Sequence, residues 1–265
     1  MSAKNKKILS GIALLFIITG LFLYRVKLKW LIEDSLKQPL PQEVNFPNTL
    51  ADKKISTSTI ATAPDNRPKT DTSVKKINKS YNLNVPFTMQ APYSDWSEPW
   101  QNTCEEANIL MVHYYYQNKK FTKEIAKAEL LKLIDWENKN FGSYVDTTVK
   151  QTAEIAEKNW NYKTQIIDNP NIDQIKKFID AGLPVIAPTA GRELKNPYFS
   201  NLGPLYHMVT LKGYTEDDKF ITNDPGIGRG HDYLYSTAVI MNAMHDWDET
   251  DILKGAKRIL IIHPN

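Results

Sequence analysis

The chain runs to 265 residues, with 33 Lys and Arg against 30 Asp and Glu, a formal net charge of +3 and a single cysteine. That length can bury a stable core without staples, and one cysteine excludes an intrachain disulfide framework and any multi-thiolate metal site. So small a charge, with no basic stripe interleaved with aromatics, excludes the electrostatic footprint of a nucleic-acid binder.

The first feature in chain order is Ile8–Tyr24, apolar except for Ser10 and Thr19, with Lys4, Lys6 and Lys7 before it and Arg25, Lys27 and Lys29 after it. Its length lies at the short end of what spans a bilayer. A cleaved signal peptide would have a shorter apolar stretch and a small-x-small exit, which Phe22-Leu23-Tyr24-Arg25 lacks. Residues 1–30 are therefore expected to be an uncleaved signal anchor, one transmembrane helix, with secretion after signal cleavage as the alternative. The N-terminal lysines favour a cytoplasmic N-terminus, which makes the protein single-pass in the cell membrane with the remainder extracytoplasmic. No cysteine stands near the N-terminus to carry a lipid. Trp30-Leu31-Ile32 is expected at the membrane interface. Residues 31–80, rich in Lys, Thr, Ser, Asp, Asn and Pro, bury too little apolar surface to offset their ordering entropy and are expected to be a flexible linker or stalk.

A folded domain is expected over 81–265. Leu83–Phe87 alternates like a strand, and Gln90-Ala91-Pro92-Tyr93 turns the chain. Cys104 opens an apolar run through Tyr116 that predicts a helix, with Thr103 as its cap. Further helices are predicted over Thr122–Ile134 and over Asp146–Asn159, the latter with Asp146 and Thr147 as cap candidates. A strand follows at Lys163–Ile167, then a helix over Ile172–Ala181 that Gly182 stops. Strands are predicted at Leu183–Pro188, His207–Tyr214, Lys219–Thr222 and Lys257–His263, with a short helix over Thr237–Met244. Helices first and strands later is the order of an α+β fold.

The chemistry begins at Cys104. In a first helical turn, unpaired N–H groups and the helix dipole favour a thiolate, while the adjacent Glu105 opposes one. A glutamate facing the cleft would select a basic or amine-bearing substrate. His207 begins one strand and Asp224 follows the end of the next, so an antiparallel pair brings them together as an imidazole held by a carboxylate, the base a cysteine nucleophile needs. Asn223 is the alternative orienting group. An oxyanion needs donors, for which the Cys104 N–H and the side chain of Gln90 or Gln101 are candidates. The five histidines lack metal spacing, His231 and His245 are expected at the surface, and Gly226–Gly230 is expected to edge a cleft rather than bind a nucleotide. Trp96 and Trp100 are expected to pack in their loop, and Asp246–Glu249 to form an acidic loop.

The order Gln90, Cys104, His207, Asp224 resembles the papain-like cysteine peptidases, and more closely the bacterial C-thirty-nine-like peptidase domains, relatives of those that cut double-glycine leader peptides. The resemblance rests on Val85–Gln90, Cys104–Ala107, His207-Met208-Val209 with Gly213-Tyr214, and Asn223-Asp224-Pro225. It implies a papain-like fold with a helical N-terminal lobe and an antiparallel-sheet C-terminal lobe. By position it makes Cys104 the nucleophile, His207 the general base, Asp224 its orienter and Gln90 the oxyanion donor. The chain departs from the leader peptidases in having Cys104-Glu105 where they have Cys-Gly, and in a longer Gln90-to-Cys104 spacing, which keeps Gln101 in play. The expected function is a membrane-anchored thiol peptidase acting on a peptide or protein substrate at the cell surface, with no cofactor or metal required. Transpeptidation or cell-wall amide cleavage by the same residues, and a non-catalytic binding module, are the alternatives. The oligomeric state is not legible.

Overall fold

The computed structural model of the chain describes residues 39–46 and 78–264. The Ile8–Tyr24 segment and Trp30-Leu31-Ile32 lie outside them, as does most of 31–80. Among the described residues no helix is long and apolar enough to cross a membrane.

The elements are β1 (Tyr81–Asn82), α1 (Cys104–Tyr116), α2 (Lys123–Asn140), α3 (Val149–Trp160), β2 (Lys163–Asp168), α4 (Ile172–Asp180), β3 (Val185–Ala190), β4 (Tyr206–Tyr214), β5 (Lys219–Asn223), β6 (Tyr233–Ser236), α5 (Thr237–Ala243) and β7 (Arg258–His263). The strands form one antiparallel sheet in the order β2-β7-β3-β4-β5-β6, with β1 added beside β4. Local chemistry sets the helix starts. Thr122 accepts from the Ile125 N–H, and Thr148 and Asn171 each complete a reciprocal capping box with Gln151 and Gln174. Asp146 and Thr147, the predicted caps, are used differently. Asp146 takes a positive φ of 53° and the Thr147 N–H turns to the carboxylate of Glu105. Leu83–Phe87 is not a strand; after β1 and one bridge the segment leaves the sheet, since Pro86 has no N–H to give it.

The site depends on α1 lying across the sheet. Cys104 to Val112 are buried all round, as expected of a helix inside a core, and full burial of a side chain such as Ile109 or Leu110 stabilises the fold by about 1.5–3 kcal/mol. Asn108 fixes the register between helix and strand. Its Nδ2 donates to the carbonyls of Cys104 (2.7 Å) and Met208 (2.9 Å), and its Oδ1 accepts from Thr210 (2.6 Å). The first turn of α1 is thereby pinned to the start of β4.

The segment expected to be linker contributes to this body. Val44 pairs with Leu83, Asn82 donates to Pro41, and Phe46 packs edge-on to Tyr115 and Tyr116. Glu43 reaches Lys212, which sits at a bulge in β4 between Leu211 and Gly213. The bulge frees Lys212 from pairing with β5 and re-aims its side chain.

Glu106 of α1 meets Glu137 of α2 inside the helical layer with no base or amide between them. Burial raises both carboxyls, Glu137 to about 8, so they persist as protonated acids. Unfolded, each would ionise near 4.5. The folded state therefore holds the extra proton, and the stability this contributes is complete below about pH 4.5 and is lost as pH climbs from there through about 8. The melting temperature is expected to fall over that window. Glu137→Gln should flatten the fall by at least about 1.4 kcal/mol, the worth of one pKa unit, which urea titrations across the pH range would measure.

Candidate active site

A cleft of about 690 Å³ opens where α1 meets β4, and Gln90, Cys104, Glu105, Asp146 and His207 all line it. Thr103 stands at the cap position of α1 but does not cap. Its hydroxyl donates to the carbonyls of Gln90 (3.1 Å) and Trp100 (3.2 Å), tying the turn before the helix to the chain at Gln90. The Gln90 N–H in turn bonds the Pro225 carbonyl (3.1 Å), so the Gln90, Cys104 and Asp224 segments converge.

His207 and Asp224 meet across the β4–β5 pair. Nε2 of His207 donates to Oδ1 of Asp224 at 2.7 Å, and both residues are buried. Asp224 also accepts from the Gly226 N–H (2.9 Å) and the Tyr235 hydroxyl (2.6 Å), and Asn196 donates to that hydroxyl at 2.5 Å. Phe199 sets its ring edge-on to the imidazole at 5.5 Å. With Nε2 committed, Nδ1 is the ring nitrogen left for a partner in the cleft. Asn223 faces elsewhere, donating to the Val85 and Pro86 carbonyls.

The thiol is not bonded to that imidazole. Cys104, 5 % exposed, donates from Sγ to Oε2 of Glu105 at 2.9 Å, while Oε1 of Glu105 accepts from the Thr147 N–H at 3.0 Å. Burial pushes the Cys104 thiol well up and the Glu105 carboxylate adds to it, with the Met208 backbone amide pulling the other way. Burial, and then Glu106, likewise hold the Glu105 carboxyl well above the usual carboxylate range. The depression expected from a helix N-terminus is thus overridden, and the resting thiol keeps its proton.

Gln90, expected to serve an oxyanion, spends Nε2 on the carbonyls of Trp100 (3.0 Å) and Gln101 (3.1 Å), which uses both its hydrogens, and its buried Oε1 has no donor among the described residues. Gln101 is exposed and turns its amide to Glu98. The Cys104 N–H, first in α1, has no acceptor within the helix.

Sequence reasoning missed Tyr235, Asn196 and Phe199, because their roles arise from long-range packing. The Gly226–Gly230 segment did carry a signal. A Cβ on Gly226 would lie 2.8 Å from Cε1 and 3.0 Å from Nε2 of His207. Gly226→Ala is therefore expected to push the imidazole aside and lower kcat/KM roughly 10²-fold with little change in melting temperature, since small misplacements of a reacting group cost that much. Steady-state kinetics beside a thermal melt would check it. Of the remaining expectations, Trp96 lines the cleft and is 42 % exposed, Trp100 packs against the core, and Asp246 is buried, accepting from the Val149 and Trp247 N–H groups.

The profile of the Peptidase_C39 like family matches residues 82–251. A solved structure described as a C39-like peptidase from Bacillus anthracis aligns with a TM-score of 0.46 at 18% identity, covering 69% of this chain and 96% of that one, a likeness too loose to carry argument. No curated protein matches the chain.

Proposed function

Because the chain belongs to the Peptidase_C39 like family, we propose that it hydrolyses peptide or related amide bonds through an acyl-enzyme on Cys104. The observation that carries this reading is the buried His207–Asp224 pair, with Nδ1 uncommitted, in the same cleft as the cysteine. For reaction, Sγ turns from Glu105 toward Nδ1, which removes its proton. The thiolate adds to the substrate carbonyl, and the oxyanion takes the free Cys104 N–H. His207, now an imidazolium stabilised by Asp224, returns the proton to the leaving amine, and water then cleaves the thioester with His207 as base again. Gln90 joins as a second oxyanion donor once Nε2 releases one of its two hydrogen bonds to the Trp100 and Gln101 carbonyls. On the sequence argument alone, Ile8–Tyr24 anchors the protein with this domain outside the cytoplasm.

The test is to incubate the full chain with denatured casein and map new N-termini by mass spectrometry. Cleavage is expected, and prior alkylation of Cys104 by iodoacetamide should stop it. Cleavage that survives complete alkylation, or a thiol-dependent casein assay that yields no new termini, sinks the proposal.

A further inference from the structure

The residue beside the nucleophile is built into the cleft. Glu105 is 1 % exposed, lines the cavity, and holds the thiol by the 2.9 Å bond from Sγ. Asp146 lines the same cavity and has no hydrogen-bond or ion partner among the described residues, so two carboxyls face the space where substrate must sit. Burial first, then Glu106 and Asp146, raise the cost of ionising Glu105. A third acceptor points the same way. Gln90, 3 % exposed and in the wall of this cavity, keeps a buried Oε1 with no donor. Two carboxyls and a buried amide oxygen without a donor match a ligand that brings positive N–H groups. Arg192, which also lines the cleft, is exposed and lies just beyond the end of β3.

We propose that Glu105 is a specificity-determining residue: an ammonium or guanidinium group of the substrate pairs with Glu105 and Asp146, displaces the thiol from Glu105, and releases Cys104 to His207. The inference rests on the thiol-peptidase reading and names its substrate class, a chain carrying a lysine, arginine or free amine next to the bond cut. The step balances. The Sγ–H···Oε2 hydrogen bond gives way to N–H···Oε2 from the substrate, the Glu105 carboxyl loses to solvent the proton that burial lets it keep, the S–H proton passes to His207 Nδ1, and no oxidant or further reactant is needed. A positive charge at that point also favours the charged sulfur directly. A substrate without such a group meets a protonated thiol tied to a carboxyl, so selectivity enters through kcat as well as KM.

The test reads the thiol rather than turnover. Cys104 in the full chain is alkylated with iodoacetamide, an uncharged reagent, near neutral pH, with n-butylammonium as the cationic probe and n-butanol as its neutral match. Butylammonium is expected to speed alkylation about threefold or more and butanol not at all. Glu105→Gln should react faster at baseline and lose the response. Asp146→Asn, on a turn outside the helices, covers the case in which the buried glutamine variant fails to fold, and should weaken the response about twofold or more. No acceleration in wild type, or a full response in either variant, overturns the proposal. Casein cleavage scored in parallel separates the two readings. Cys104-dependent cleavage with a charge-blind thiol removes this inference and leaves the peptidase, whereas a charge-gated thiol without cleavage removes the peptidase and leaves the cation site.

Discussion

Cys104→Ala is expected to lower kcat/KM on a cleaved peptide by roughly 10⁵-fold or more, His207→Ala by nearly as much, and the two together by no more than either alone. The non-additivity is the informative part. A thiol that keeps its proton at rest is a poor nucleophile, and burial together with Glu105 holds Cys104 in that state. His207 offers its uncommitted Nδ1 in the cleft as the base for the thiol, so either variant removes the same step. Neither should unfold the protein. Cys104 is small, and without His207 the Asp224 carboxylate still receives the Gly226 N–H and the Tyr235 hydroxyl. Kinetics on the two single variants and the double, each with a thermal melt, would check this. A single variant within tenfold of wild type, or losses that multiply, would show that the two side chains do not act as a unit.

Lys212→Met is expected to lower stability by roughly 2–3 kcal/mol. The Lys212 side chain is fully buried, and its Nζ donates to Glu43 (2.7 Å) and Asp232 (2.5 Å). Removing it leaves two carboxylates facing one another. Both are partly solvated, which keeps the loss below that for a fully buried orphaned charge. Adding Glu43→Gln and Asp232→Asn to Lys212→Met should restore most of the loss, as urea melts of the single and triple variants would show. Glu43, His231 and Asp232 also bring three ligand atoms within 4.8 Å of one another, but the Lys212 ammonium already bonds both carboxylates, so the cluster explains itself without a metal.

Elements governed by local chemistry were legible. A continuous apolar run gave α1 and spaced apolar residues gave α2, Gly182 stopped α4 with its positive φ, and the strand–turn–strand run from His207 to Asp224 brought those two residues face to face. Features decided by distant contacts were not. β6 escaped notice, and with it Tyr235, whose hydroxyl braces Asp224. A glutamate in a first helical turn usually points to water. Nothing near Glu105 in sequence announces that Thr147 and the thiol draw it inward. Thr103 has the composition of a cap, yet its hydroxyl is taken by Gln90 and Trp100, which lie before the helix. The 41–46 segment reads as polar linker because its docking groups, the Glu43 and Phe46 side chains and the Val44 backbone, make no periodic pattern; their receptors are a bulged lysine, two tyrosines and a strand edge far along the chain.

The seating of 41–46 changes what a protease could accomplish on this protein. A nick anywhere in 47–77 severs the backbone, but the upstream piece stays attached through the Glu43–Lys212 ion pair, the Val44–Leu83 bridge and the Phe46 ring. Separation of the two pieces then takes two events, the cut and the unseating of a six-residue strap held in part by Lys212. Salt, which screens partly exposed charges, would hasten release of a nicked molecule while leaving an intact one in place.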